Sequence, residues 1–376
     1  MRIVVLGGGP GGLYFSALWK ARHPQDEVRL FEQNPAGATW GFGVVFSDRA
    51  LDFLREDDPD TAALIAPRMQ TWRDITLVHR GEAIAIDGVG FSAIGRLELL
   101  QLLQQRARSA GVELRFETTV RSLAELGGAD LIVAADGVNS LIRRELGDAF
   151  GTTVSQLDNT FAWYGTTKPF ETLTQTFVSH RFGTFNAHHY RYAPGMSTFI
   201  VECDPETWRR AGLEAAGEEE SRAICEEVFA TTLQGHPLIS NRSIWRHFPW
   251  VWNERWSHGN IVLIGDALHT AHFSIGSGTR LAIEDALALV KALEAERDVA
   301  SALALYEKER RPIVEKLVAA SRRSAAWYER FPEHMQLAPL DMAMSYIRRS
   351  GRVDDERLRE TAPRFMTRYD AARRTA

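Results

Sequence analysis

Glycines and carboxylates at fixed spacing are the residues of this 376-residue chain that suggest chemistry first. Gly7-x-Gly9-x-x-Gly12 follows directly on Arg2–Leu6, a continuous apolar run of the kind found in buried parallel strands. A helical stretch follows, with Leu13, Ala17 and Leu18 for its apolar face, and then a second β-like run, Val28–Phe31, ending at Glu32. This is the order a dinucleotide fingerprint requires. Gly7 permits the tight turn, Gly9 lets the backbone approach a pyrophosphate, and Gly12 lets the helix pack on the strand. The helix N-terminus offers N–H groups and partial positive charge to phosphates. Glu32 lies where a carboxylate accepts from a ribose hydroxyl, and an acid there disfavours a 2′-phosphate. A glycine-rich turn without a ligand is the bland reading; strand, helix, second strand and terminal acid together favour a dinucleotide.

A second segment carries a different signal. Ile261–Asp266 reads as a strand ending in Gly265-Asp266, followed by Gly276-Ser277-Gly278 and a long helix. Glycines at a helix start admit a flat ligand, and the free N–H groups of Gly276–Arg280 stabilise negative charge on it. Reduced flavin carries such charge near N1 and the C2 carbonyl, and Asp266 is placed to accept from ribityl hydroxyls. Alone, the segment is equally well a strand–loop–helix corner with an N-capping acid.

The elements that must position these residues alternate in character. Arg96–Ala110 reads as an amphipathic helix ended by Gly111, and Val112–Phe116 and Asp130–Ala135 read as strands, the latter leading into Asp136-Gly137. Phe161–Cys203 is rich in Thr, Phe, Tyr and Trp, with alternation and a Pro194-Gly195 turn, which is antiparallel-sheet patterning. Glu218–Leu233 is helical again, Asn260–Ile264 is a strand, Arg280–Glu294 is an apolar helix, and the chain from Ala302 is mostly helical. The expected fold class is α/β: a nucleotide-binding domain with a Rossmann-type parallel sheet, interleaved with a β-sheet substrate domain, and a helical C-terminal region; the resemblance to flavin-dependent hydroxylases named below implies that the first is a glutathione-reductase-like FAD-binding domain. The expected boundaries are residues 1–75, 90–155 and 255–300 for the discontinuous FAD-binding domain, 76–89 and 156–254 for the β-rich substrate domain, and 301–376 for the helical region.

Composition narrows the field. A formal charge of −5 gives no electrostatic reason to expect nucleic-acid binding. No stretch approaches the roughly 18 apolar residues of a membrane span. About five apolar residues precede the first glycines, too few for a signal-peptide core. Cys203 and Cys225 look like cytosolic thiols, and no C-x-x-C or His/Cys cluster suggests a metal; His188-His189 are neighbours that point to opposite faces of a strand. The expected location is cytoplasmic, with no membrane or nucleic-acid partner, as a monomer or homodimer.

Three motifs in order make the chain resemble the single-component flavin-dependent aromatic hydroxylases, the p-hydroxybenzoate hydroxylase-like class: the fingerprint, Asp136-Gly137 after a strand, and Gly265-Asp266 before the flavin helix. Tyr306 with Arg310-Arg311-Pro312 resembles the late Tyr…Arg-Pro element of that class, and Arg96 resembles the residue whose helix touches the FAD phosphate or ribose. Further segments are similar to salicylyl-CoA 5-hydroxylases and anthraniloyl-CoA monooxygenases: W-G-F-G-V-V-F-S-D at Trp40–Asp48, G-F-S-A-I-G-R at Gly90–Arg96, A-H-H-Y-R-Y at Ala187–Tyr192, S-T-F-I-V-E at Ser197–Glu202 and A-H-F-S-I-G-S-G-T at Ala271–Thr279. Violacein-pathway hydroxylases share several of them, including W-Y-G-T at Trp163–Thr166. Where the wider class has Pro-Pro, Gln and Asn, this chain has His272-Phe273, Ser277 and Arg280.

The resemblance implies FAD as cofactor, NADH or NADPH as co-substrate, and molecular oxygen, which adds at flavin C4a to give an electrophilic hydroperoxide. It implies that Gly7, Gly9, Gly12, Glu32, Val45, Arg96, Asp136, Gly265, Asp266, Gly276, Ser277, Gly278 and Thr279 hold FAD. For the substrate side it directs attention to His188, Tyr190 and His272 as catalytic candidates, and to Phe46, Phe273 and Ser274 as substrate-binding ones; His188 or His272 would polarise a phenol or position the hydroperoxide. The alternative is that the aromatics are sheet core and the histidines structural, and His269 reads as flavin-loop structure. The implied substrate is a small aromatic molecule carried as a CoA thioester, with a free indolic compound as the alternative. Arg143-Arg144, Arg209-Arg210 and Arg322-Arg323 are candidates for CoA phosphates. The chain lacks the extra reductase region of some bifunctional anthraniloyl-CoA enzymes, so hydroxylation alone is expected. A flavin halogenase would show W-x-W-x-I-P; Trp250-Val251-Trp252 is followed by Asn253-Glu254, and the motif fails. An FAD dehydrogenase and a non-enzymatic FAD-binding protein complete the rival readings.

Overall fold

The computed structural model describes residues 1–47 and 52–375. Asp48, the last residue of the Trp40–Asp48 motif, lies outside them. Arg2–Leu6 forms the centre of a six-stranded sheet, pairing in parallel with Glu27–Phe31 on one side and Leu131–Ala134 on the other. Glu113–Arg115 extends one edge; Ile261–Leu263 and the short antiparallel Ser257–His258 extend the other. Every residue of Leu131–Ala134 and of Ile261–Leu263 is buried, as a sheet covered on both faces demands. The helix Pro10–Arg22 buries nine consecutive residues, Gly11 to Trp19, between this sheet and the helices Arg96–Ala110 and Gly278–Ala295. No residue on those turns faces water, which explains its weak polar/apolar segregation.

An eight-stranded, mostly antiparallel sheet is built from Ile75–His79, Glu82–Ile86, Thr152–Thr166, Leu173–His180, Gly183–Ala193, Met196–Cys203, Leu238–Ile239 and Arg246–Asn253. The long strand Thr152–Thr166 serves two partners. Its first half pairs with Arg246–Asn253 and its second with Met196–Cys203, so the expected boundary at 155–156 falls inside one strand. A three-stranded sheet of Gly43–Ser47, Gln70–Trp72 and Phe91–Gly95 joins the two larger ones.

Two helices differ from the sequence pattern. The Glu218–Leu233 stretch is two helices, Glu218–Val228 and Ala230–Leu233, because Phe229 leaves helical geometry to fill a third core beside Phe199. The flavin-side helix starts two residues earlier than its apolar pattern, at Gly278. After it, Val299–Tyr328 runs as a 30-residue helix with Pro312 inside it. The chain beyond Phe331 packs on Ile75–His79 and Glu82–Ile86, so the C-terminal helices complete the core beneath the eight-stranded sheet. Among the described residues no helix is long and apolar enough to cross a membrane, and no cluster of three metal-ligating side chains is found.

Candidate active site

One cavity of about 1010 Å³ runs from the fingerprint loop to the inner face of the antiparallel sheet. Its nucleotide end is built largely from backbone. At Gly7, φ is +107° and an added Cβ would lie 2.2 Å from Ala135 O, so only glycine fits. Gly12 is equally confined, 2.1 Å from Gly7 O, and this contact seats the helix on the strand. Gly9 is the opposite case: it lines the cavity, and its Cβ would meet nothing within 4 Å. It caps the helix without a side-chain bond, leaving the first-turn N–H groups free for a ligand. Glu32 also lines the cavity, held in place by the N–H of Gly8 on Oε2 (2.7 Å) and that of Asn34 on Oε1 (2.8 Å).

Two turns from distant parts of the chain meet at this end. Asp136 Oδ2 accepts from Leu141 N at 2.7 Å, while Oδ1 is buried with no partner, and burial pushes the carboxyl above the usual range. Gly137, at φ +75°, leaves open space beside it. The Arg143 guanidinium donates to the carbonyls of Gly137 (3.1 Å), Asp266 (3.3 Å), Ala267 (2.8 Å) and Val138, and so staples the Asp136-Gly137 turn to Gly265-Asp266. Behind Gly265 lies a buried strut. Asp285 accepts from Gly265 N (3.1 Å) and Arg310 Nε (2.8 Å) and bonds His269 Nε2 (2.9 Å), and these partners hold its carboxyl low against the cost of burial. His269 and Arg310 therefore support the loop from behind.

Arg96 Nε donates to Thr39 Oγ1 at 3.0 Å, and its side chain lines the cavity. Asp266 faces the same space, its carboxyl raised by desolvation and opposed by His269 and Arg96. Val45, Gly276, Ser277, Gly278 and Thr279 complete this part of the wall. Gly276 has φ +59°, and its added Cβ would touch Val45 at 3.0 Å. An unsatisfied acceptor at Asp136, an open cradle at Gly9 and Gly137, and the half-buried Arg96 guanidinium on the same cavity fit a dinucleotide whose ribose, pyrophosphate and flat ring follow one another along the wall.

The opposite end is built from side chains of the antiparallel sheet, the Phe273–Ile275 turn and the C-terminal helices: Gln175, His188, Tyr190, Ile200, Phe273 and Arg349 among them. Tyr328 O–H donates to Gln175 Oε1 at 3.0 Å, so the Gln175 amide nitrogen, 2.9 Å from His188 Nδ1, donates to it. That assignment leaves the His188 proton on Nε2, which is buried, has no hydrogen-bond partner and lies 3.6 Å from Glu202 Oε2. Burial first, and Arg349 second, keep His188 neutral, with its pKa well below the usual histidine range. Glu202 is 1% exposed, accepts from Asn159 Nδ2 at 2.9 Å, and is pushed up by desolvation.

Three expected substrate residues take other positions. Phe46 does not line the cavity: it alternates with Val45 along Gly43–Ser47 and enters the core of the nucleotide-binding half. His272 stands behind the wall, packed on Phe248 and Phe273, with Nδ1 bonded to Ser274 Oγ at 2.8 Å; burial holds it down to about 4. Tyr190 does line the cavity, but its hydroxyl donates to Gly43 O at 2.9 Å and so braces the flavin-side loop. Phe273 and Ser274 are on the wall as expected. Gln175, Glu202, Tyr346 and Arg349 were not singled out from sequence. Glu202 closes a quoted motif, whereas Tyr346 and Arg349 carry no local signal at all.

Comparison with known proteins agrees with this geometry. Residues 126–321 match the family model described as an FAD binding domain. The chain is 42% identical to a salicyloyl-CoA 5-hydroxylase from Streptomyces sp over 361 residues, 93% of this chain and 70% of that one. It is 40% identical to a 3-hydroxy-4-methyl-anthranilyl-[aryl-carrier protein] 5-monooxygenase of Streptosporangium sibiricum, covering 89% and 90% of the two chains. It is 35% identical to the protodeoxyviolaceinate monooxygenase of Chromobacterium violaceum, covering 92% and 94%. Among solved structures, 2-methyl-3-hydroxypyridine-5-carboxylic acid oxygenase superposes with a TM-score of 0.71 over 96% of each chain at 18% identity, a likeness of fold. Fingerprint, fold and relatives converge: the chain belongs to the FAD-dependent aromatic monooxygenases.

Proposed function

We propose that the enzyme hydroxylates the ring of an aromatic acyl group carried as a CoA thioester, of the salicylyl or anthraniloyl type, using NAD(P)H and O2. The observation that carries this reading is the similarity, at 42% and 40% identity, to two enzymes named for an aryl group on a carrier, CoA in one and a carrier protein in the other. When bound, FAD supplies the redox chemistry: it accepts electrons from NAD(P)H and activates O2 for transfer of one oxygen atom. A ring hydroxyl or amine directs attack ortho or para to itself, and a thioester leaves its meta position less deactivated. At C5 of a salicylyl or anthraniloyl ring the two effects agree.

The residues of the chain then divide the work. Gly7, Gly9, Gly12, Glu32 and Arg96 hold the adenosine and pyrophosphate part of FAD; Val45, Asp136, Gly265, Asp266 and Gly276–Thr279 hold the ribityl and ring part. Phe273 and Ser274 position the substrate, with Phe161, Phe248 and Tyr346 excluding water from it. His188 is the proton-handling group. The substrate's hydroxyl takes the place of the Gln175 amide at Nδ1, which accepts its proton, while Nε2–H faces Glu202 Oε2. A second reading, a free indolic substrate, is supported by the 35% identity to the violaceinate enzyme.

The test is substrate-stimulated NAD(P)H oxidation by the FAD-loaded enzyme, with products read by mass spectrometry. Salicylyl-CoA and anthraniloyl-CoA are compared with their free acids and an indolic compound. One added oxygen on a thioester, with the free acid inert, is the expected result. Stimulation by the indolic compound alone overturns the thioester reading.

A further inference from the structure

The enzyme must handle FAD, a nicotinamide dinucleotide and, on the reading above, CoA. Each carries an adenosine diphosphate unit, yet the sequence holds one glycine fingerprint. A second such unit is left to side chains, by stacking and by arginine. Of the arginines named from sequence, Arg144 lines the cavity and three others are hydrogen-bonded or ion-paired elsewhere. Arg143 is the staple between the two turns, Arg210 pairs with Glu206, Arg322 lies over Trp250, and Arg323 donates to Ser350 O at 2.9 Å.

The mouth of the cavity holds a different set. Trp40 lines it and is 38% exposed, unusual for a tryptophan beside a deep site. The Arg242 guanidinium lies 4.0 Å from the centre of the Trp40 ring. Arg246, also on the cavity wall, lies 5.3 Å from the centre of Phe161. Among the described residues no carboxylate pairs with Arg242 or Arg246. The arrangement is held in place. Asn241 Nδ2 donates to Thr39 O (3.0 Å) and Gly41 O (3.1 Å), clamping the loop that carries Trp40, and Arg242 sits at φ +53°, a conformation that costs a non-glycine residue energy. Trp163 packs beneath this loop, 2.9 Å from where a Gly41 Cβ would be, with its buried Nε1 unpartnered. Arg96 lines the same cavity and its charge, partly offset by Asp266, repels that of Arg246, which has no carboxylate partner of its own among the described residues; an anion there relieves the repulsion.

We propose that Trp40, Arg242 and Arg246 form a docking site for an adenosine diphosphate unit at the cavity mouth, distinct from the fingerprint that takes FAD. The base stacks on the Trp40–Arg242 pair, and the phosphates bind Arg246. Two molecules carry that unit to the site, the CoA of the thioester substrate and NAD(P)H. The CoA source rests on the thioester reading; the NAD(P)H source does not.

The test uses the FAD-loaded enzyme and its Arg242→Gln/Arg246→Gln variant. Equilibrium titrations with CoA, NADH and NADPH, followed by tryptophan quenching, give affinities without turnover. KM is then compared for salicylyl-CoA and its N-acetylcysteamine thioester, which has the same aryl thioester and no nucleotide. The expected result is a rise of at least tenfold in Kd for CoA or for a nicotinamide dinucleotide, with FAD content and Tm unchanged. A CoA source also raises KM for salicylyl-CoA and leaves the truncated thioester within twofold. If NAD(P)H affinity falls while no aryl-CoA is turned over, the docking site stands and the thioester reading fails. Nucleotide affinities within twofold of wild type overturn the proposal, as does a variant that loses FAD affinity alone. Should the double variant fail to fold, Trp40→Leu is judged by the same titrations.

Discussion

The two ends of the cavity are made of different material. The nucleotide end is mostly backbone: glycines, free helix N–H groups and turn carbonyls held by Arg143 and the Asp285 strut. The substrate end is mostly side chains, drawn from separate strands of one sheet and from a helix more than 150 residues later in the chain. Backbone sites tolerate almost no change of shape but make few demands on side-chain identity. Side-chain sites can be rebuilt one residue at a time. The relatives carry the same contrast in their names: all are oxygenases or hydroxylases, and their named substrates differ.

Substitutions at the two ends should separate accordingly. The largest effect is expected from Gly7→Ala, whose Cβ meets Ala135 O at 2.2 Å in a left-handed conformation. A cost of ~3 kcal/mol or more is expected, and purification should yield no FAD-loaded protein. Gly9→Ala sharpens the point, because its Cβ has free space in the protein and intrudes only on a ligand. The apoprotein should keep its Tm while FAD affinity, measured by flavin fluorescence, falls on the order of a hundredfold. A destabilised apoprotein would sink the idea that Gly9 answers to the ligand.

At the substrate end His188→Gln should leave FAD binding intact and lower hydroxylated product per NAD(P)H consumed by about a hundredfold. Equal losses of flavin and product would remove the distinction between the two walls. His272 gives a smaller, pH-dependent effect. Its folded pKa of about 4 lies below the unfolded value of 6.5, so the unfolded chain binds the extra proton. Its contribution is present above pH 6.5 and is lost as pH falls toward 4, on the order of 3 kcal/mol in all. Glu202, raised by burial, has the opposite sign, and His188 the same sign as His272. The slope that His272→Gln removes from a plot of denaturation free energy against pH isolates the His272 part. The smallest effect is expected of Tyr190→Phe, which frees Gly43 O and should cost about 1 kcal/mol in chemical denaturation.

Legibility in the sequence followed the same division. Strand, turn and helix of the fingerprint lie within 32 consecutive residues, so their pattern could be read directly. The Gly265-Asp266 turn was legible as a motif, but its junction with Asp136-Gly137 through Arg143 was not, since no spacing connects them. At the other end a motif pointed to Gly183–Ala193, and His188 and Tyr190 of that strand both line the cavity. Phe46 failed because a one-residue step along a strand reverses the face. His272 failed because a loop has no period from which to read direction.

By itself the sequence determined the dinucleotide fold and the flavin loop, because these depend on local backbone demands. Tertiary structure alone decided which groups back the other end of the cavity: Tyr328 behind Gln175, Glu202 beside His188, and the Ser274 carbonyl on Arg349. The first and last join elements far apart in the chain and the second joins two neighbouring strands; their partners are chosen by helix packing and sheet register, which no local pattern encodes.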